Sequence, residues 1–127
     1  MKVCLSDSGS TGFADEIIAM NTGIRYGLDP KILGDVINAS SGMSWNSLNQ
    51  NPVKGVNAKS SASRDFEGGF PTELCLEVIK MATRLARDVD SKLIVGPVLL
   101  KLFEEAVDDP RCQGKECRSI YKLIAED

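Results

Sequence analysis

Along this chain, apolar residues recur at helical spacing between short polar or glycine-rich stops. Phe13, Ile17, Met20 and Ile24 stand three or four positions apart and predict a helix over 13–26 with one apolar stripe. Upstream, Gly9 and Gly12 lie among Ser6, Ser8, Ser10 and Thr11, all weak helix formers, so the first turns are expected to fray. Gly27-Leu28-Asp29-Pro30 reads as a stop and a restart. Gly27 suits a left-handed C-terminal cap, Asp29 caps the next helix, and Pro30 fits its first turn. That helix sets Ile32, Leu33, Val36 and Ile37 on one face and ends at Ser40-Ser41-Gly42. A shorter helical piece is predicted from Trp45 to Gln50, closed by Pro52.

From 51 to 70 the periodicity disappears, which predicts a long connection that is either functional or wrapped against the core. Pro71-Thr72 then opens the strongest helix. Leu74, Val78, Met81, Leu85 and Val89 trace the stripe expected to face the core, widened by Cys75 and Ala82. Residues 92–95 are extended or a tight turn. A further helix over 97–107 turns Leu99, Leu102, Phe103 and Ala106 inward, and Asp108-Asp109-Pro110 ends it. A last short helix over 118–125 uses Ile120, Tyr121 and Ile124. Nowhere does a strand lead through a G-x-G-x-x-G loop into a helix. The fold class is therefore all-α, an irregular multi-helix bundle forming one domain over 1–127.

Composition narrows the chemistry. A chain of 127 residues with 43% hydrophobic and 26% charged residues can bury a core without staples. A net charge of −3 gives no concentrated positive face, so neither nucleic acid nor an anionic membrane is expected as a partner. No apolar run reaches bilayer length, and the opening residues lack the apolar core of a secretory signal. The expectation is an intracellular location, cytoplasmic or mitochondrial, with no targeting segment in this chain. Cys4, Cys75, Cys112 and Cys117 are scattered and read as free thiols of a reducing compartment. Histidine is absent, which excludes Ser-His, Cys-His and His-zinc catalysis within the chain. Acid–base work would fall to Lys, Asp, Glu, Tyr or Cys.

Several segments, taken in order, carry a family resemblance. They are Ala19-Met20-Asn21, Gly23-Ile24-Arg25, Gly27-Leu28-Asp29-Pro30, Ile37-Asn38-Ala39-Ser40-Ser41-Gly42, Trp45, Asn51-Pro52-Val53, Gly55-Val56 and Asp65-Phe66-Glu67-Gly68-Gly69-Phe70. In this order they resemble the C-terminal half of the 3-hydroxyisobutyrate dehydrogenases, within the wider β-hydroxyacid dehydrogenase group. The bundle is accordingly expected to be like the C-terminal domain of 6-phosphogluconate and 3-hydroxyisobutyrate dehydrogenases. The resemblance implies NAD as the family's cofactor, held by an N-terminal Rossmann domain. The helical domain supports dimerisation and closes the active site. For the isolated chain no cofactor is expected, because the glycine loop that seats a pyrophosphate is missing.

The resemblance also implies site residues. The family's catalytic lysine, in a Lys-x-Cys-Asn-Asn pattern, falls on Lys2 when counted back from Ala19-Met20-Asn21 without a gap. There it would exchange a proton with the substrate hydroxyl. The substrate-holding second asparagine falls on Ser6 and the first on Leu5; Leu5 cannot hydrogen-bond through its side chain, and Ser6 is shorter than an amide. Against a catalytic Lys2 stands the plainer reading of a polar residue in a frayed terminus, which weighs more. The family's Lys-Asp pair after Gly-Gly-Phe is Glu77-Val78 here, so the charge of a cofactor-contacting lysine is reversed.

Other features read as architecture: Ser40-Ser41-Gly42 as a helix end, Trp45 as a packing anchor, and Glu104-Glu105 with Asp108-Asp109 as a solvated helix end. The leading functional expectation is a stand-alone or truncated dehydrogenase-type helical domain, not catalytic alone. The alternatives are an interaction module that homodimerises or pairs with a full-length relative, and a half-enzyme complemented by a separate Rossmann chain, in which Lys2 regains its role.

Overall fold

In the computed structural model the backbone is described over residues 2–125, with side chains over 12–125. Six α-helices follow one another: α1 (Lys2–Arg25), α2 (Pro30–Asn38), α3 (Trp45–Asn49), α4 (Thr72–Asp88), α5 (Gly96–Asp108) and α6 (Tyr121–Ala125). Two 3-10 turns, Ser61–Arg64 and Cys117–Ile120, complete the chain. Among the described residues there is no strand, only a single antiparallel bridge between Pro71 and Glu116. The all-α expectation holds at that level.

Caps appear where the sequence places them. Gly27 adopts φ +101°, a value side chains disfavour, and its N–H bonds to the Ile24 carbonyl at 2.9 Å to end α1. Two residues later the Asp29 carboxylate accepts the N–H groups of Lys31 and Ile32 at 2.9 and 3.0 Å and starts α2, with Pro30 in its first turn. The expected fraying before Phe13 is corrected, since α1 is helical from Lys2 through Gly9 and Gly12. Neighbouring turns carry the helix through two positions that intrinsic propensity disfavours.

α4 and α5 form an antiparallel pair, and α1 lies across them while also touching α2, α3 and α6. The core is one cluster of Phe13, Ile17, Cys75, Leu76, Ile79, Phe103, Ala106, Cys112 and Ile120. On α1 and α5 the predicted inward residues Phe13, Ile17, Met20, Leu99, Phe103 and Ala106 are buried.

Two helices depart from expectation. α2 turns Leu33 and Ile37 partly inward but leaves Ile32 and Val36 exposed, with Gly34 as its buried residue. On α4 the row Leu74, Met81, Leu85 and Val89 is 40% to 64% exposed, and the buried row is Cys75, Leu76, Ile79, Ala82 and Ala86. The two rows lie about a third of a turn apart. The smaller row faces α1 and α5, the helices packed against α4, and small residues permit close helix packing.

The long connection is wrapped and stitched down. Its last stretch turns through Asp65 and Phe66 at φ 55° and 60°, strained values for non-glycine residues. The segment before α6 then holds it: Glu116 N–H bonds to the Phe66 carbonyl at 2.9 Å, Cys117 N–H to Phe70 at 2.8 Å, and Thr72 N–H to Lys115 at 2.9 Å. Gly69, at φ +80°, leaves no room for a side chain, since a Cβ there would stand 2.6 Å from Glu116 Cγ.

The inward row of α4 is tested by Ile79→Ala. Removing this 1%-exposed side chain is expected to cost about 2–5 kcal/mol in urea unfolding. A loss below about 1 kcal/mol would contradict the assigned core.

Candidate functional site

The most unusual electrostatics lie where α1, α3 and the segment before α6 meet. Arg118 is the hub. Its Nη1 pairs closely with the buried carboxylate of Glu116, its Nη2 donates to Asn46 Oδ1 at 2.8 Å, and its guanidinium sits 5.5 Å from the centre of the Phe13 ring. The second oxygen of Glu116 accepts the Ser61 hydroxyl at 2.8 Å and the Arg118 N–H at 3.0 Å. One ion pair thereby joins α1, α3, the first 3-10 turn and the second.

Glu16 completes this group from α1. It is 5% exposed, and neither carboxylate oxygen has a hydrogen-bond partner among the described residues; Arg118 Nε is likewise without one. Burial pushes its pKa up to about 7, with the nearby Arg118 charge pulling partly the other way. The outer side of the same stretch of α1 borders a cleft of about 310 Å³, lined by Gly12, Asp15, Glu16, Ile37, Ser41 and Ser44. A carboxyl that titrates near neutrality can hold or release a proton under ordinary conditions.

The residues proposed from sequence fall elsewhere. The side chains of Lys2 and Ser6 lie outside the described residues. Along α1, fourteen residues separate Lys2 from Glu16, about 21 Å at helical rise, so the two belong to different places. Glu77 stands on the outside of α4 and pairs with Lys80 at 3.0 Å. Ser40 closes α2, its hydroxyl donating to the Ile37 carbonyl at 2.9 Å and accepting the Gly42 N–H at 3.2 Å. Trp45 does not anchor the loop to the core: it opens α3 and is 66% exposed. The first turn of so short a helix can present its side chains to solvent while Ser47 is buried.

The acidic run at the end of α5 makes local contacts. Glu105 lies 3.9 Å from Lys101, and Asp109 pairs with Arg111 at 2.8 Å, whose hydrogen bonds pull its carboxyl down to about 2. No group of three metal-ligating side chains occurs among the described residues. Cys75, Cys112 and Cys117 are free thiols. Cys117 shares a hydrogen bond with Cys75 that, together with burial, raises its pKa, so it is a poor thiolate source. No described helix is long and apolar enough to cross a membrane.

Sequence reasoning missed Glu16, Glu116 and Arg118. A signal existed for the first: Glu16 falls at i+3 from Phe13 and i−4 from Met20, on the stripe itself.

Comparisons with known proteins agree on one group. A family model described as the NAD-binding region of NADP-dependent 3-hydroxyisobutyrate dehydrogenase matches residues 13–124. A mitochondrial 3-hydroxyisobutyrate dehydrogenase of Bos taurus is 41% identical over 109 residues, covering 86% of this chain and 32% of that protein. Its counterpart in Rattus norvegicus is 33% identical over 109 residues, with the same coverage of 86% and 32%. The chain thus spans about a third of the length of these curated relatives. A solved structure of Mycobacterium tuberculosis 3-hydroxyisobutyrate dehydrogenase with L-serine shares the fold. Its TM-score is 0.90 over 96% of this chain and 41% of that one, at 21% identity.

Glu16 supplies a pH test. Its pKa is about 7 folded and 4.5 as the reference for the unfolded chain, so between these values the folded state binds the proton more tightly. Stability therefore falls as pH rises from 4.5 to 7, by on the order of 3 kcal/mol at the limit. Glu16→Gln should flatten that slope and leave the variant more stable than the parent at pH 8. Urea titrations at pH 5 and pH 8 check this, and an unchanged slope in the variant would rule the assignment out.

Proposed function

The chain belongs to the 3-hydroxyisobutyrate dehydrogenase family, and from that premise we propose that it is the helical, C-terminal-type domain of such an enzyme, working only when docked against a partner. The observation that carries this reading is the absence, among the described residues, of any strand leading into a glycine loop and helix. A dinucleotide pyrophosphate needs convergent backbone N–H groups at such a turn. On α4, moreover, the position where the family has a cofactor-contacting lysine holds Glu77, whose carboxylate repels phosphate. The residues present do not by themselves fit a whole dinucleotide.

The role that remains is to cover a nucleotide domain and help shape the site for a small 3-hydroxy acid. The exposed row of α4 supports it, because a row of large apolar side chains gains stability when a second surface covers it.

A second reading is a half-enzyme that regains activity with a separate Rossmann chain. The helical backbone that begins at Lys2 favours it, since a residue in a helical turn has a defined backbone that one in a frayed end lacks.

One experiment addresses both. Alone, the purified chain is expected to take up no NAD in calorimetry and to show no NAD-dependent oxidation of 3-hydroxyisobutyrate. Stoichiometric uptake of dinucleotide by the chain alone would sink the first reading. With a Rossmann-domain fragment of a relative added, the half-enzyme reading expects activity that Lys2→Ala lowers by about 100-fold or more. Absence of activity in that mixture would remove the second reading and leave the first.

A further inference from the structure

A small cavity of about 210 Å³ opens between α4 and α5, lined by Lys80, Thr83, Arg84 and Arg87 of the first helix and Leu100 of the second. Three of these side chains are cations, and no carboxylate among the described residues lines the cavity. Acids outnumber bases 18 to 15 in the chain, so the sign of charge is reversed locally.

Lys80, Arg84 and Arg87 follow one another at steps of four and three, the spacings at which like charges on a helix repel. Lys80 is compensated by Glu77 at 3.0 Å. Arg84 and Arg87 are exposed, and their side chains make no ion pair or hydrogen bond among the described residues. Asp88, four residues after Arg84, does not pair with it either. The negative end of α4 favours a cation in its last turn, which accounts for Arg87. It does not account for a second unpaired guanidinium one turn earlier on the same cavity.

The remaining walls limit the ligand. Thr83 donates its hydroxyl to the Ile79 carbonyl at 2.9 Å and so forms a wall, not a donor. Leu100 and the arginine stems are apolar. The volume falls below the roughly 300 Å³ at which pockets for drug-sized ligands begin, so a whole dinucleotide is too large. Two guanidinium charges match one doubly charged oxyanion, and each fork can grip two of its oxygens. A phosphoryl group carries that charge on a single centre. Glu77 stands about 10 Å along the helix from Arg84, and its charge is already met by Lys80.

We propose that Arg84 and Arg87 hold a small phosphoryl dianion in this cavity, as free phosphate or as the ester of a short carbon chain lying against Leu100. The site lies on the α5 side of α4 and uses none of the exposed apolar row, so it is independent of the docked-domain reading.

The test is a magnetic resonance titration of the full chain with inorganic phosphate, propyl phosphate and succinate at pH 8, where phosphate is doubly charged. Both phosphates should shift the Leu100 methyl and arginine Nε–H signals saturably, with a Kd of roughly 1 mM or tighter. Arg84→Gln and Arg87→Gln should each weaken binding at least tenfold, with helical circular dichroism unchanged. Lys31→Gln, which removes an exposed charge on α2, should leave it unaltered. Equal affinities assign free phosphate, and tighter binding of the propyl ester assigns a monoester. Absence of saturation by about 10 mM overturns the proposal. So does an equal loss in Lys31→Gln, or succinate binding as tightly as phosphate.

Discussion

Helix α4 carries two apolar rows, and among the described residues only one of them is buried. The buried row is the smaller: Cys75, Ala82 and Ala86 accompany Leu76 and Ile79, while Leu74, Met81 and Leu85 stay outside. This inverts the usual preference for large aliphatic side chains in the interior. Close approach of α1 and α5 explains the small residues. It does not explain why large ones are kept where water reaches them. A second body against the outer row, as proposed above, would account for them.

A second organising feature is polar. The Arg118–Glu116 pair sits where four elements converge and makes hydrogen bonds to α3, to the first 3-10 turn and to its own backbone. Buried charge is costly to desolvate, and good geometry with extra hydrogen bonds offsets that cost only in part. What such a pair does well is fix one arrangement, because any other leaves a charge unpaired. Here it locks the wrapped connection, which also buries Pro52, Ala62 and Phe66, against α1 and α3. Glu16 lies beside the pair without sharing its hydrogen bonds, and burial raises its pKa against the opposing pull of Arg118.

Much of this architecture was legible in the sequence. Gly27, Asp29 and Pro30 act through local backbone chemistry, so reading four residues sufficed to place the break between α1 and α2. Phe13, Ile17 and Met20, and Leu99, Phe103 and Ala106, were placed correctly because each of those helices has one dominant apolar face. α4 misled for the opposite reason. Periodicity shows that apolar rows exist and does not decide which of two adjacent rows faces inward. Trp45 failed similarly, since burial of one aromatic in a five-residue helix is decided by distant neighbours. The Arg118 group joins residues as far apart as Asn46 and Arg118, and no spacing pattern encodes such a contact.

The family's chemistry and this chain's physics can be reconciled by dividing the work. A dinucleotide pyrophosphate is commonly seated on oriented N–H groups at a helix start fed by a strand, and among the described residues no strand leads into a helix. Excluding water and holding a small hydroxy acid require packed surfaces, which a bundle supplies readily. The charge at position 77 fits this division. A carboxylate tethered to Lys80 on an outer helix face is a poor companion for phosphate.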